Sequence, residues 1–169
     1  MHLRTNLIYL FVPIVLFGSG CQSGRENEVQ QTVRLANSIE AIWNDRNMEP
    51  FQNLAVVEYK RYLNGLKVAD TQEELETTLN TFFIGFPDTV IKLDDLSLKG
   101  NRLYVHWNLT GTHTGQFTSI GPTGKKININ GFATILLNTD GKMVQEEVYY
   151  NEWDMLQQLG YTLNAPILD

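Results

Sequence analysis

The chain has 169 residues, a formal net charge of −6 and 43% apolar residues. This length suits one domain with a short appendage, and the apolar content excludes a disordered chain. An acidic chain lacks the basic patches that bind phosphates, so we exclude nucleic acid as a partner. The single cysteine, Cys21, leaves no internal disulfide, and the fold must depend on its apolar core.

The N-terminus is typical of an export signal. His2 and Arg4 open a weakly basic segment, and an apolar run follows at 7–18. This run is shorter than the about 20 residues that a membrane-spanning helix needs, and it suits the apolar region of a signal peptide. Small residues then precede Cys21, which resembles the lipobox of bacterial lipoproteins, where the cysteine becomes the lipidated N-terminus.

We therefore divide the chain into a lipoprotein signal peptide at 1–20, a polar tether at 21–26 and one domain at 27–169. Cys21 is the expected site of lipidation. The lipid would hold the protein on a membrane of the cell envelope, facing the periplasm or the surface. An ordinary secretory signal with an incidental cysteine and a plain membrane anchor are the alternatives.

The first elements of the domain are predicted to be helical. Apolar residues from Val29 to Trp43 recur at a spacing of 3.6 residues, which predicts an amphipathic helix over about 27–46. The stretch 48–67 is expected to form one or two short helical segments, because a proline near its start is tolerated in a first turn.

A capping box of Thr71 and Glu74 predicts the start of a further helix, which ends near Ile84. The second half of the chain alternates between apolar and polar residues and is rich in β-branched and aromatic side chains. Asn151 is a natural N-cap for a final helix that ends at Gly160. Strands are predicted at 89–98, 102–113, 125–138 and 143–150.

Helices, then successive antiparallel strands, then a closing helix predict an α+β fold. One curved antiparallel sheet would wrap over the N-terminal helices, with a short C-terminal helix. Such a sheet can curl into a cone, and its inner face and the helices would enclose a largely apolar cavity, which is the usual form of a small-molecule site.

Four sequence blocks occur in one order along the domain: FPDTV at 86–90, GTHTGQF with IGPTGKK at 111–126, DGKMVQE at 140–146 and LQQLG at 156–160. Together they resemble the SnoaL-like polyketide (ester) cyclases of the NTF2-like superfamily. The resemblance implies a cone-shaped α+β barrel with a deep pocket. It also implies an intramolecular aldol condensation on an ester-bearing polyketide, without a metal or an organic cofactor, by one carboxylate acting as general acid and base.

The resemblance places the acid of the family at Asn151, nine residues before Gly160. An amide cannot exchange a proton near neutral pH, although it can orient a ligand carbonyl by hydrogen bonds. Asp154 lies one turn further along the helix and is the candidate catalytic acid. It could instead be a solvated first-turn acid that interacts with the helix N-terminus, worth about 0.3–1 kcal/mol.

Two histidines are further candidates. His106 stands where family members carry an arginine, and it is expected to face either the pocket or solvent. His113 is a candidate catalytic or hydrogen-bonding residue of the pocket, or else a structural pin for the long loop. Neither belongs to a pattern with metal-ligand spacing, so no metal site is expected. Because the arginines of the family are absent, we expect an apolar pocket, lined by Asn151, His106, Trp107, Tyr149 and Phe86.

The primary hypothesis is a lipid-anchored binding domain for a small hydrophobic or polyketide-like molecule, with weak or no cyclase chemistry. The alternative is an ester cyclase, isomerase or hydrolase that uses Asp154 or a histidine as general acid and base. A homodimer formed through the sheet is compatible with either hypothesis.

Overall fold

Four helices and six strands make up the part of the chain that the computed structural model describes, which is the backbone of residues 20–164 and the side chains of 26–164. In chain order they are α1 (Gly20–Asp45), α2 (Glu49–Leu54), β1 (Ala55–Leu63), β2 (Leu66–Ala69), α3 (Gln72–Gly85), β3 (Val90–Lys99), β4 (Arg102–Thr112), β5 (Lys126–Leu137), β6 (Met143–Tyr150) and α4 (Glu152–Leu159).

The first helix is longer than the sequence pattern predicts. Because α1 begins at Gly20, the backbone of the expected tether at 21–26 is helical. Val29 and Val33 are 59% and 52% exposed, so the apolar face meets the core only from Leu35 onward. The apolar run at 7–18 lies outside the described residues. No helix within 20–164 combines the length and apolar character that crossing a bilayer requires.

The helical prediction for 48–67 is wrong beyond Leu54. Residues 55–69 form the β1–β2 hairpin, which turns at Asn64 and Gly65 with positive φ angles of 48° and 83°. Asn-Gly with both residues in this region is the preferred two-residue hairpin turn. The β-branched and aromatic residues before this turn suit a strand. The proline near the start of the stretch affects only the short helix α2.

The six strands form one curved sheet in the order β2-β1-β6-β5-β4-β3. All neighbours pair antiparallel except β1 and β6, which run parallel, so the sheet is mixed. The α+β prediction of a curved sheet over N-terminal helices with a short C-terminal helix is confirmed. The sheet was predicted to be antiparallel throughout, and this is wrong for the β1–β6 pair. Burial alternates strictly along β4 and β5, as it does for strands with one face on a core and one in solvent.

The core lies between the concave face of the sheet and the helices. Its fully buried side chains come from every layer and include Leu35 of α1, Tyr59 of β1, Leu75 of α3, Leu103 and Val105 of β4, Ile127 and Ile135 of β5, Met143 of β6 and Met155 of α4.

The final helix has the predicted caps. The Asn151 side chain accepts a hydrogen bond from the backbone N of Asp154 at 3.1 Å, and Gly160 closes the helix with φ of 100°. A side-chain oxygen at this position satisfies one of the free N–H groups of the first turn.

We expect Asn151→Ala to lower the free energy of unfolding by about 1 kcal/mol, because the first turn of α4 loses its cap. Urea denaturation measures the change. Asn151→Asp keeps an equally good cap and is the matched control. If Asp destabilised the protein as much as Ala, capping would not be the role of this residue.

Candidate functional site

A cavity of about 500 Å³ lies between the concave face of the sheet and helices α1, α3 and α4. Most of its wall is aliphatic or aromatic, and the sheet supplies the floor. Trp107 and Ala133 come from β4 and β5, Ile39 comes from α1, and Phe82 comes from α3. This size and this lining are those of small-molecule sites.

The floor depends on a glycine at the centre of β5. Gly131 is the cross-strand neighbour of both Trp107 and Tyr150. A Cβ atom at this position would collide with the Trp107 indole and lie 2.6 Å from the carbonyl oxygen of Tyr149. The indole therefore lies directly over the strand backbone, with its centroid 6.2 Å from that of Tyr150.

The loop between β4 and β5 covers one side of the cavity, to which it contributes Phe117, Thr118 and Ile120. The loop is held to the end of α3, because the backbone N–H groups of Thr114 and Gly115 both donate to the carbonyl of Gly85 at 3.1 Å. These bonds leave the loop side chains packed against the helix.

His113 fixes the base of this loop. Its side chain is fully buried and stacks on Phe86 with ring centroids 5.0 Å apart. Its Nδ1 accepts from the backbone N of Thr123 at 3.3 Å and lies 3.1 Å from the hydroxyl of that residue. Within residues 26–164, the Nε2 atom has no hydrogen-bond partner. These contacts are those of a structural pin, and neither His113 nor Phe86 borders the cavity.

One end of the cavity is polar. Arg61 of β1 and Glu146 of β6 are cross-strand neighbours, and Nη1 of the arginine lies 3.5 Å from Oε2 of the glutamate. Tyr150 borders the same region. Burial, and secondarily the charge of Glu152, raises the pKa of Tyr150 to about 12, so its phenol stays protonated and can donate a hydrogen bond.

The mouth of the cavity is marked by the lining residues that solvent reaches: Thr77 and Thr78 of α3, Thr118 of the loop and Glu152 of α4. The hydroxyls of the two helical threonines donate to the carbonyls one turn earlier, at 3.0 and 2.9 Å. Because these hydroxyls already have partners, this part of the rim is less polar than its composition indicates.

Trp107 borders the cavity, as expected from the sequence, whereas the polar candidates on α4 do not. Asn151 caps its helix. The Asp154 carboxylate accepts a hydrogen bond from Nε2 of Gln158 at 2.9 Å, which keeps it occupied within its own helix.

His106 and Tyr149 lie on the convex face of the sheet. The His106 side chain is 52% exposed, with Nδ1 3.9 Å from Oδ2 of Asp94, and Tyr149 is 45% exposed. Side chains alternate between the two faces of a strand, and these two residues lie on the face opposite the cavity floor. The predicted pocket positions of His106 and Tyr149 are therefore wrong. The side chain of Cys21, the expected lipidation site, lies outside the described residues.

Sequence reasoning missed both members of the partly buried ion pair in the cavity wall, Arg61 and Glu146. Arg61 was assigned to a helical segment, so its position beside β6 could not be foreseen. Glu146 was placed on the predicted strand at 143–150, but no role was given to it there. The expectation of a cavity without arginine is therefore wrong. Among the residues described, no group of three or more His, Cys, Asp or Glu side chains could hold a metal ion.

A family model, SnoaL-like polyketide cyclase, matches residues 33–159. The chain therefore belongs to the SnoaL-like polyketide cyclase family. No curated protein matches the chain by sequence.

Solved structures share the fold. AclR from Streptomyces galilaeus is 19% identical with a TM-score of 0.69, covering 82% of this chain and 86% of its own. IdmH from Streptomyces antibioticus is 21% identical with a TM-score of 0.66, covering 78% and 99%. TsrD from Streptomyces laurentii is 19% identical with a TM-score of 0.68, covering 79% and 96%. At these identities the likeness extends to the NTF2-like fold alone.

The His113 site predicts a pH dependence of stability. Burial lowers the pKa of His113 below its ordinary value, so the unfolded chain takes up the proton first. The contribution of neutral His113 to the free energy of unfolding is then fully present above about pH 6.5. It is lost as the pH decreases toward the pKa of the folded state, with a slope of at most about 1.4 kcal/mol per pH unit for one proton. Asp88 has a pKa held low by hydrogen bonds from Thr112, and its contribution is lost only below about pH 4.

We expect His113→Gln to flatten the decline in the free energy of unfolding between about pH 6.5 and 5, because Gln does not titrate there. Urea denaturation across this range measures the slope. His106→Gln removes an exposed histidine of β4 instead and is the control for the loss of a histidine as such. An equal slope in the wild type and the His113 variant would contradict the assignment.

Proposed function

We propose that this protein binds a small hydrophobic or polyketide-like molecule in its cavity, with weak or no cyclase chemistry. The observation that carries the proposal is the apolar cavity of about 500 Å³ with a defined mouth. Pockets of about 300–1,000 Å³ with an apolar lining and a few polar groups are typical of sites for small molecules.

The positions of the candidate acid and base support binding over chemistry. General acid–base catalysis requires a proton-exchanging group within hydrogen-bond reach of the substrate. Asp154 bonds within its own helix, and His113 is buried at the base of the loop. Neither borders the cavity, and the position that the family resemblance gives to the acid is held by the capping amide of Asn151.

An enzyme of ester cyclase, isomerase or hydrolase type is the second candidate, and family membership favours it. Of the acids, Glu146 and Glu152 border the cavity and would replace Asp154 as candidates for the acid–base group. The fate of a bound ester separates the two functions. Recovery of the compound unchanged after prolonged incubation supports binding, whereas a mass-spectrometric change that is lost in Glu146→Gln or Glu152→Gln supports the enzyme.

For the binding function, we expect a neutral fluorescent naphthylamine to bind the detergent-free protein and Ala133→Phe to weaken it at least tenfold. The Ala133 side chain is 3% exposed and borders the cavity, so a phenyl ring there would occupy the space of the guest. Fluorescence titration measures the dissociation constant. Asn130→Phe adds the same ring to an exposed position of β5 and is the matched control. Equal binding by both variants would rule out the cavity as the site.

The proposal also includes anchoring in the cell envelope through a lipid on Cys21. The small residues before this cysteine and the apolar run at 7–18 support it. Replacing Cys21 with Ser is expected to move the protein out of the membrane fraction on cell fractionation, because the thiol that carries the lipid is lost. An unchanged distribution would mean that another segment holds the protein on the membrane.

A further inference from the structure

Two opposite charges lie together in the inner wall of the cavity, apart from the exposed Glu152 at its mouth. Arg61 and Glu146 are neighbours across the parallel β1–β6 pair, and their side chains are only 11% and 14% exposed. Both border the cavity. Charged groups removed from water require compensating partners, so the number of contacts that each charge makes decides whether it is satisfied.

The guanidinium of Arg61 is only partly satisfied. It carries five N–H donors in a planar fork. Its ion-pair contact is a single approach of 3.5 Å to Glu146, which is longer than the about 2.7–2.9 Å of a charge-assisted hydrogen bond. Its other close partner is the ring of Trp43, whose centroid lies 6.0 Å away. Among the described residues, no hydrogen bond from this guanidinium is formed, so its donors remain available to a guest in the cavity.

The neighbouring groups set the charge that a guest can carry. Glu146 balances the charge of Arg61, and Tyr59 beside the glutamate is fully buried. Burial, followed by the charge of Glu146, raises the pKa of Tyr59 well above its ordinary value, which keeps this phenol neutral. A carboxylate guest would therefore be repelled by Glu146 and, at the mouth, by Glu152, and a cationic guest would be repelled by Arg61. An uncharged oxygen acceptor meets neither penalty.

We propose that Arg61 donates hydrogen bonds to a carbonyl oxygen of the guest and thereby selects an uncharged carbonyl compound over a hydrocarbon and over a carboxylate. This inference rests on the proposed binding function and assigns the residue that selects the guest. Hydrogen bonds that involve a charged group contribute more than neutral ones, so loss of the donor should have a measurable effect on selectivity.

A purely structural role is the competing explanation, in which the ion pair only fixes the register of β1 against β6. Removing either partner of a buried ion pair destabilises a protein, whatever the pair does for a ligand. Stability alone therefore cannot test the proposal. The discriminating readout is the ratio of affinities for two guests, which a loss of folded protein leaves unchanged.

The test uses three competitors of eleven carbons, a methyl ketone, a terminal alkene and the carboxylate, each displacing the bound naphthylamine below micelle formation. The ratio of the ketone and alkene dissociation constants is compared between proteins, since the hydrophobicity of the guests cancels in that comparison. We expect Arg61→Met to reduce the preference for the ketone about tenfold or more. Lys67→Met removes one positive charge from an exposed ion pair on the adjacent strand and should leave the ratio unchanged.

Glu146→Gln supplies an independent result. Without this carboxylate Arg61 loses its adjacent counter-charge, and only the exposed Glu152 at the mouth remains negative. We therefore expect affinity for the carboxylate competitor to rise about tenfold or more relative to the ketone. This expected result is a gain in relative affinity, whereas a loss of folded protein would only reduce binding. It keeps the proposal testable if Arg61→Met does not fold.

The possible results separate the two proposals. If the naphthylamine binds and Ala133→Phe weakens it, but the ketone preference is the same in Arg61→Met or the Glu146→Gln shift is absent, the assignment of Arg61 is overturned and the binding function stands. If the naphthylamine does not bind the wild-type protein, the binding function itself fails.

Discussion

The parallel pairing of β1 with β6 is the contact on which the cavity depends. Four of the strands could form a sheet by successive antiparallel neighbours, but the N-terminal hairpin joins that sheet only through this one pair. Its register sets Arg61 opposite Glu146 and Leu63 opposite Val148, and all four residues border the cavity. A shift of one residue would turn these side chains to the convex face, because strand side chains alternate. The pairing therefore determines both the extent of the floor and the chemistry of its polar end.

Much of the fold could be predicted from local patterns. Strands β4 and β5 alternate between the core and solvent. The capping residues Thr71, Asn151 and Gly160 mark helix ends that the structure confirms. The hairpin at 55–69 was missed because the whole stretch 48–67 was assigned to short helical segments and its Asn64-Gly65 turn was not used. The parallel β1–β6 contact joins residues about 85 positions apart, and no local pattern reports such a contact. Long-range pairing was thus the part that sequence reasoning could not supply.

In the candidate site, too, local sequence patterns predict some residues, and long-range strand pairing determines the others. Trp107 could be placed on the cavity side as a large aromatic residue of a half-buried strand, and it borders the cavity. His106 is its immediate neighbour in the chain, and strand alternation places the histidine on the opposite face. The polar end required two residues from strands that only the tertiary fold brings together, Arg61 and Glu146. A resemblance to a family transfers roles by position in a motif, and neither of these residues occupied a position to which a role had been given.

The absence of a side chain at Gly131 limits how the cavity can change size. The Trp107 indole lies on main chain there, so the depth of the floor is determined by the ladder itself rather than by a rotamer that could adapt. Bulk added at this point would disturb the hydrogen bonds between three strands. Phe117 on the loop and Phe82 on α3 pack edge to face above the sheet, away from any ladder. A descendant of this protein adapted to a longer or shorter guest would therefore differ at Phe117 and Phe82, which cover the cavity, and would keep the floor at Gly131.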